Sequence, residues 1–338
     1  MTDKNVTVAL AGNPNCGKTT IFNNITGSRH HVGNYPGVTV ERREGLCRHK
    51  DRDLLFIDLP GTYSLTAHSM DELVARNVII NERPDIIVNV LDASNLERNF
   101  YLAVQLLELE RPAMLVLNMI DVADGKGLTI NDEKLRNMLG VTVVRAVGNK
   151  NHGTADIIQA AADMTKVCKY QPFSLDYGPI FEEKIQRICG ALEELTLVKY
   201  PLRWLAVKLL ENDPDVVAAL NEFEGNEKIM ALVSRARAEL MLEYGDDLDL
   251  VIAEKRYAFA DYVYREVVCM DHDMEQTRSD NIDRILTHRV LGLPIFLGIM
   301  WLLFNFVFTV GAYPQEWLET GFAKLGTWVG QNMADGEL

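Results

Sequence analysis

Short apolar, β-rich runs recur along the first half of the chain: VTVALA at 6–11, LLFIDL at 54–59, DIIVNVLDA at 85–93, AMLVLNMI at 113–120 and VTVVRAV at 141–147. Between them lie amphipathic stretches such as ELVARNVIINE at 72–82 and LERNFYLAVQLLELE at 96–110, where Phe100, Val104 and Leu107 recur at helical spacing. Near-continuous apolar strands separated by helices predict an α/β fold, a doubly wound and mostly parallel sheet covered on both faces. VTVERREGLCRHKDRDLLF adds a hairpin with its turn around residues 50–53. After Gln171 and Pro172 the pattern turns helical, at 180–197, 203–212, 214–221, 226–244 and 248–269, which predicts an appended all-helical domain. A polar stretch at 271–283 then leads to a run of 26 residues, 290–315, without one charge.

That run changes the reading of the composition. The 338 residues suggest about two domains, and the mean hydropathy of −0.04 averages a soluble body with one membrane-length segment. Residues 290–312 alone are long enough to cross a hydrocarbon core of about 30 Å at about 1.5 Å per residue. Arg278, Arg284, His288 and Arg289 precede the run, and Glu316 and Glu319, then Lys324, follow it, so the positive-inside rule places the preceding body in the cytoplasm. The N-terminus enters a strand-like run with no signal-peptide pattern, in keeping with a cytoplasmic start. Past Pro314, Trp317, Leu318, Phe322, Leu325, Trp328 and Val329 form an apolar stripe expected to lie at the outer membrane interface. The net charge of −14 opposes a nucleic-acid surface, which needs a basic stripe. Cys16, Cys47, Cys168, Cys189 and Cys269 show no CxxC spacing, so neither a disulfide framework nor a zinc site is expected. The seven histidines pair with no carboxylates at ligand spacing, and Asp271-His272-Asp273 reads as solvated linker.

The first strand runs directly into Gly12-Asn13-Pro14-Asn15-Cys16-Gly17-Lys18-Thr19-Thr20, a GxxxxGK[ST] loop followed by helix-forming residues. Backbone N–H groups of such a loop wrap phosphates, and the helix N-terminus faces the anion. The expected phosphate-binding set is Gly12, Asn13, Asn15, Cys16, Gly17, Lys18, Thr19 and Thr20. Lys18 would contact the β- and γ-phosphates, and Thr19 would offer its hydroxyl to Mg²⁺. Base identity is read elsewhere. Asn118-Met119-Ile120-Asp121 is an NxxD at a strand end, where the carboxylate accepts two hydrogen bonds that guanine can donate and adenine cannot. Upstream, Asp58-Leu59-Pro60-Gly61 offers a Mg²⁺-directed carboxylate and a γ-phosphate-directed backbone N–H. Gly33, Asn34, Tyr35, Pro36, Gly37, Val38 and Thr39 form an expected switch loop, with Thr39 reaching Mg²⁺ in the triphosphate state. Lys18, Thr39 and Gly61 are the expected catalytic groups. Thr62 stands where many GTPases carry the glutamine that orients water, which predicts slow hydrolysis.

GNPNCGKTTIFNNITG, HHVGNYPGVTVERREG, DLPGTYSL, LDASNLERNFYL and NMID together resemble the FeoB family, bacterial ferrous iron transporters with a fused G domain. RVLGLPIFLGIMWLLF resembles that family's first transmembrane helix. The resemblance implies a G domain over 1–169, a helical guanine-nucleotide dissociation inhibitor-like domain over 170–270 and a linker over 271–288. It further implies a transmembrane helix over 289–313, an extracytoplasmic segment over 314–338, and a fragment of a longer polytopic protein. It also implies K⁺ held by Asn15, Fe²⁺ as the transported ion, and a bacterial cytoplasmic membrane with residues 1 to about 288 inside. The fifth guanine-contacting motif departs from the family: Ala146, Val147 and Gly148 stand there without a serine. Expected partners are GTP and GDP, a homo-oligomer and small accessory proteins of the same transport system, with no nucleic acid. Two alternatives stay open, a membrane-tethered docking module and a GTPase of the ribosome-assembly kind.

Overall fold

The computed structural model describes residues 6–27, 30–35, 38–50, 52–66, 69–165, 172–193, 200–223, 225–245, 247–270, 286 and 292–332. The chain divides into two units, Met1–His272 and Asp273–Leu338.

In the first unit the apolar runs form a seven-stranded sheet. Strand β1 (Val6–Gly12) lies at its middle, followed in the chain by helix α1 (Lys18–Thr26), β2 (His30–Asn34), β3 (Glu41–His49) and β4 (Arg52–Asp58). Then come α2 (Met70–Asn77), which widens into a π-helical turn over Val78–Glu82, β5 (Ile86–Asp92), α3 (Leu96–Leu107) and β6 (Ala113–Asn118). Next are α4 (Ile120–Gly125), β7 (Leu128–Ile130), α5 (Asp132–Leu139), β8 (Thr142–Arg145) and α6 (Thr154–Met164). The sheet order is β2-β3-β4-β1-β5-β6-β8. Strand β1 pairs in parallel with β4 (Val8 opposite Phe56) and with β5 (Leu10 opposite Val88). The chain leaves β1 for one side of the sheet and returns on the other, so the carboxyl end of β1 opens at a topological switch point.

The period-two alternation of β1 decides its faces. Val8 and Leu10 pack with Ile21, Phe22, Val88 and Ile157 under α1 and α6. Ala9 and Ala11 face the other way, into a core with Val74, Phe100 and Leu135. That second core continues into the helical segments α7 (Pro179–Glu193), α8 (Leu202–Leu210), α9 (Pro214–Asn221), α10 (Asn226–Tyr244) and α11 (Leu248–Val267), through Phe181, Trp204 and Ile252. Strand β9 (Val268–Met270) then pairs antiparallel with β7, Thr129 opposite Cys269.

Two expectations change. Gly33 and Asn34, read as loop, belong to β2, which pairs antiparallel with β3 (Gly33 opposite Arg42). The hydrophilic run 30–34 lacks the apolar alternation of a strand because β2 is an edge strand, where polar side chains on both faces are tolerated. The helix of the second unit, α12 (Gly292–Asn332), is 41 residues long in all and does not stop at residue 313 but continues through Pro314. A proline removes one backbone donor, and the flanking turns stay helical. Its Gly292–Thr309 portion has a mean hydropathy of 1.9 and is long and apolar enough to cross a membrane. Pro36, Gly37, Asp271, His272, Asp273, Arg278, Arg284, His288 and Arg289 lie outside the described residues.

Candidate functional site

The strand-to-helix turn after β1 is built so that three separate stretches of chain meet. Gly17, the residue before α1, has φ of 85°, and a Cβ there would come within 2.2 Å of the Asn118 Nδ2. Glycine therefore lets Asn118, at the end of β6, lie against the loop. Asn118 donates from Nδ2 to the Cys16 carbonyl at 2.8 Å and accepts the Gly148 N–H on Oδ1 at 2.9 Å. Asn24 on α1 donates to the Gly148 carbonyl at 2.7 Å. Asn118 is thus a cross-brace joining the glycine-rich loop, the NxxD stretch and the 146–148 stretch. Cys16 is buried among these contacts, and burial pushes its thiol up to about 11. Asn15 sits exposed at the crest of the loop with φ of 66°.

At the first turn of α1, the buried Lys18 ammonium pairs with the buried Asp58 carboxylate at the end of β4. The Thr19 hydroxyl donates to the other Asp58 oxygen at 3.4 Å. A hydroxyl and a carboxylate side by side are hard oxygen donors of the kind Mg²⁺ takes, so this pair fits the ion. Thr39 is exposed on the segment between β2 and β3. The neighbouring Tyr35 is buried, with its N–H on the Val40 carbonyl at 2.9 Å and the Arg42 guanidinium 5.1 Å from its ring centre. Arg42 in turn grips Glu82, at the end of the π-helical turn, with both terminal guanidinium nitrogens. The segment after Asp58 passes close under the loop: a Cβ on Gly61 would lie 3.3 Å from the Pro14 Cα. The Thr62 N–H donates to the Gly12 carbonyl at 3.2 Å.

Asp121 lies in the first turn of α4, presented by Met119 in the left-handed conformation with φ of 61°. Its carboxylate accepts the Val122 N–H at 3.1 Å on one oxygen and the Lys150 ammonium at 2.7 Å on the other. The Lys150 hydrogen bond holds the Asp121 carboxyl below the usual carboxylate range. No sequence motif marks Lys150. It stands 29 residues away, and the bridge between Val147 and His152 curls the chain back onto α4. Ala146 is buried, its N–H on the Leu117 carbonyl at 2.8 Å. Among the described residues, the glycine-rich loop, Asp58, Asn118 and the 146–148 stretch thus meet at the carboxyl end of β1, and the Lys18–Thr19–Asp58 cluster does not include Thr39.

A second feature no local motif reveals begins at Arg76 on α2, downstream of Gly61. Its buried guanidinium pairs with Asp213 at 2.7 Å and with Asp215, both at the start of α9. Lys208 joins Asp213 at 3.6 Å and Glu211 at 2.6 Å. Arg256 on α11 pairs with Glu108, just past α3, at 2.7 Å, and with Glu211. Burial pushes Glu211 up, but Arg256 and Lys208 outweigh it and hold the carboxyl below its ordinary value. A continuous buried chain of charges thus joins the sheet-flanking helices to the helical segments.

Comparisons with known proteins agree with this architecture. The family model for ferrous iron transport protein B matches residues 6–161, and that for the FeoB cytosolic helical domain matches 177–269. The chain is 39% identical over 344 residues to an Fe(2+) transport protein A/Fe(2+) transporter FeoB fusion protein of Porphyromonas gingivalis, covering 98% of this chain and 40% of that one. It is 36% identical to the Fe(2+) transporter FeoB of Escherichia coli, covering 98% and 42%. The chain therefore spans about two-fifths of the length of these curated relatives. Among solved structures, a GDP-bound S. thermophilus NFeoB variant is 38% identical with a TM-score of 0.72, covering 78% of this chain and all (100%) of that one. The cytosolic domain of the T. maritima FeoB iron transporter in its GMPPNP form is 31% identical with a TM-score of 0.67, covering 78% and 99%. On the matched family models and on solved cytosolic domains matched along nearly their whole length, the chain belongs to the FeoB family and carries its P-loop GTPase fold.

Proposed function

We propose that the chain binds GTP and GDP with Mg²⁺ and hydrolyses GTP slowly, as the cytoplasmic part of a membrane transporter whose Fe²⁺ passage it gates or energises. The observation that carries this reading is the convergence of the glycine-rich loop, Asp58 and Asp121 at the carboxyl end of β1. Backbone N–H groups of residue 13 and residues 15–18, Pro14 having none, and the Lys18 ammonium would bind the phosphates. Lys18 would leave Asp58 for the β- and γ-phosphates. Thr19 and Asp58 would hold Mg²⁺, with Thr39 swinging in when a γ-phosphate is present. The bound ion would neutralise charge developing on the transferred phosphate. Asp121 would accept from the guanine edge, steered by Lys150, while Ala146, Val147 and Gly148 would line the base. Asn15 would offer an amide oxygen to K⁺ beside the phosphates. Gly61 would turn its N–H to the γ-phosphate, and without a glutamine at residue 62 turnover would be slow.

The relatives' names, together with the α12 segment, support a bacterial cytoplasmic-membrane setting in which residues 1 to about 288 lie inside. In this reading 1–169 is the G domain, 170–270 the inhibitor-like helical domain, 271–288 the linker and 289–313 the membrane span. A homo-oligomer and small accessory proteins of the same transport system complete the proposal. The test is iron uptake by cells whose full-length transporter carries Lys18→Ala or Asp121→Asn in this segment. Loss of uptake in both supports the reading. Normal uptake in both assigns the nucleotide site to some other task, such as partner docking.

A further inference from the structure

In place of a water-orienting glutamine the chain has Thr62, which is only 4% exposed and fixed by its N–H to the Gly12 carbonyl. Its side chain is turned into the fold, so positioning at this point must come from the backbone of residues 61 and 62 and from whatever holds that backbone. What holds it is a closed ring of contacts with α3. The Arg98 guanidinium lies over the Tyr63 ring, 4.2 Å from its centre. The Arg98 carbonyl accepts the Asn13 Nδ2 at 3.3 Å, so the same residue is tied to the phosphate loop. One residue beyond Ser64, the Leu65 N–H donates to Gln105 Oε1 at 2.7 Å, also on α3. The circuit runs from Gly12 to Thr62, Tyr63, Arg98 and Asn13, and back into the loop. Rotating the Asn13 amide to give its buried, unpartnered Oδ1 a new contact would set that oxygen against the Arg98 carbonyl, so the ring fixes the amide too.

We propose that Tyr63 and Arg98 are positioning residues for GTP hydrolysis, their stack holding the Gly61–Thr62 backbone against the phosphate loop in a chain with no glutamine there. The inference rests on the GTPase reading above. The test is single-turnover GTP hydrolysis and the Kd of fluorescent mant-GDP, measured on the whole chain in detergent with Mg²⁺. The variants are Arg98→Ala, Arg98→Lys, Tyr63→Leu and Tyr63→Phe. An exposed cation–π contact corresponds to about a two- to fivefold change in rate. Arg98→Ala and Tyr63→Leu are expected to slow the single turnover by about that factor or more, with Kd within about twofold of the unaltered chain. Tyr63→Phe keeps the rate, because the ring and not the hydroxyl stacks, and Arg98→Lys falls between. Wild-type rates in Arg98→Ala or Tyr63→Leu overturn the inference. So does a Kd that worsens in step with the rate, or a Tyr63→Phe protein as slow as Tyr63→Leu. If the unaltered chain turns over no GTP, the GTPase reading fails and this inference with it; normal turnover that the variants leave unchanged refutes the clamp alone.

Discussion

Arg76→Ala offers a test of the charge network with a magnitude fixed by burial. Arg76 is 2% exposed, and its partner Asp213 is 7% exposed. Truncation leaves that carboxylate with Lys208, at 3.6 Å, as its counter-charge among the described residues. Removing one partner of a buried ion pair costs roughly 3–5 kcal/mol because the other charge stays desolvated. Lys208 puts the expected cost near the lower bound, about 3 kcal/mol. For a body of this size about 1 kcal/mol moves the melting point by about 2–4 °C, so a fall of about 6–12 °C is expected. Asp215→Asn is the control. Its carboxylate is 51% exposed, and an exposed pair contributes about 1 kcal/mol or less, a shift below about 4 °C. Thermal unfolding followed by circular dichroism, in one detergent and with nucleotide held fixed, measures both. A shift under about 2 °C in Arg76→Ala, or an equal shift in Asp215→Asn, would refute the claim that this network stabilises the join.

Three further outcomes follow from the site. Gly17→Ala forces a side chain into the left-handed region and against Asn118 Nδ2; strain and two displaced hydrogen bonds, about 3–4 kcal/mol in all, should weaken mant-GDP binding by about 10²-fold or more. Near-normal titration by that variant would contradict the cross-brace. Lys150 holds the Asp121 pKa down, so the ionised carboxylate and its contribution persist above that lowered value and are lost as pH falls through it. Lys150→Ala should therefore lose GDP affinity at higher pH than the unaltered chain, in the usual carboxylate range near about 3.9; identical pH profiles would exclude the steering role. Cys16 is 1% exposed with its thiol raised to about 11, whereas Cys269 is exposed. Iodoacetamide at pH 8 should label Cys269 and spare Cys16 until the chain unfolds, as peptide mass mapping would read.

The strands and the phosphate loop were legible because their signals are local. The apolar runs at 6–11 and 113–120 hold strands buried on both faces over 8–11 and 113–118, and the spacing from Gly12 to Thr19 states its own geometry. Asp58 and Asp121 were legible for the same reason, each ending or following an apolar strand. The edge strand β2 was not, because a strand paired on one side needs no apolar alternation. Neither Lys150 beside Asp121 nor Arg98 over Tyr63 could be found, since each contact spans about thirty residues and depends on how a loop or helix returns. The Arg76–Asp213 pair spans 137 residues. Long-range ion pairs leave no periodicity in sequence, and single Arg and Asp residues on amphipathic helices look like solvated faces.

The central claim is that one end of this sheet reads guanine through Asp121 while the loop holds phosphates. Competition of unlabelled nucleotides against mant-GDP, on the unaltered chain and on Asp121→Asn, tests it most directly. GDP should displace the probe at least about 10²-fold better than XDP or ADP from the unaltered chain, since unpaired donors and acceptors at a reading site reject the wrong base. XDP should overtake GDP in Asp121→Asn. Displacement by ADP as effective as by GDP, or an unchanged preference in the variant, would contradict it.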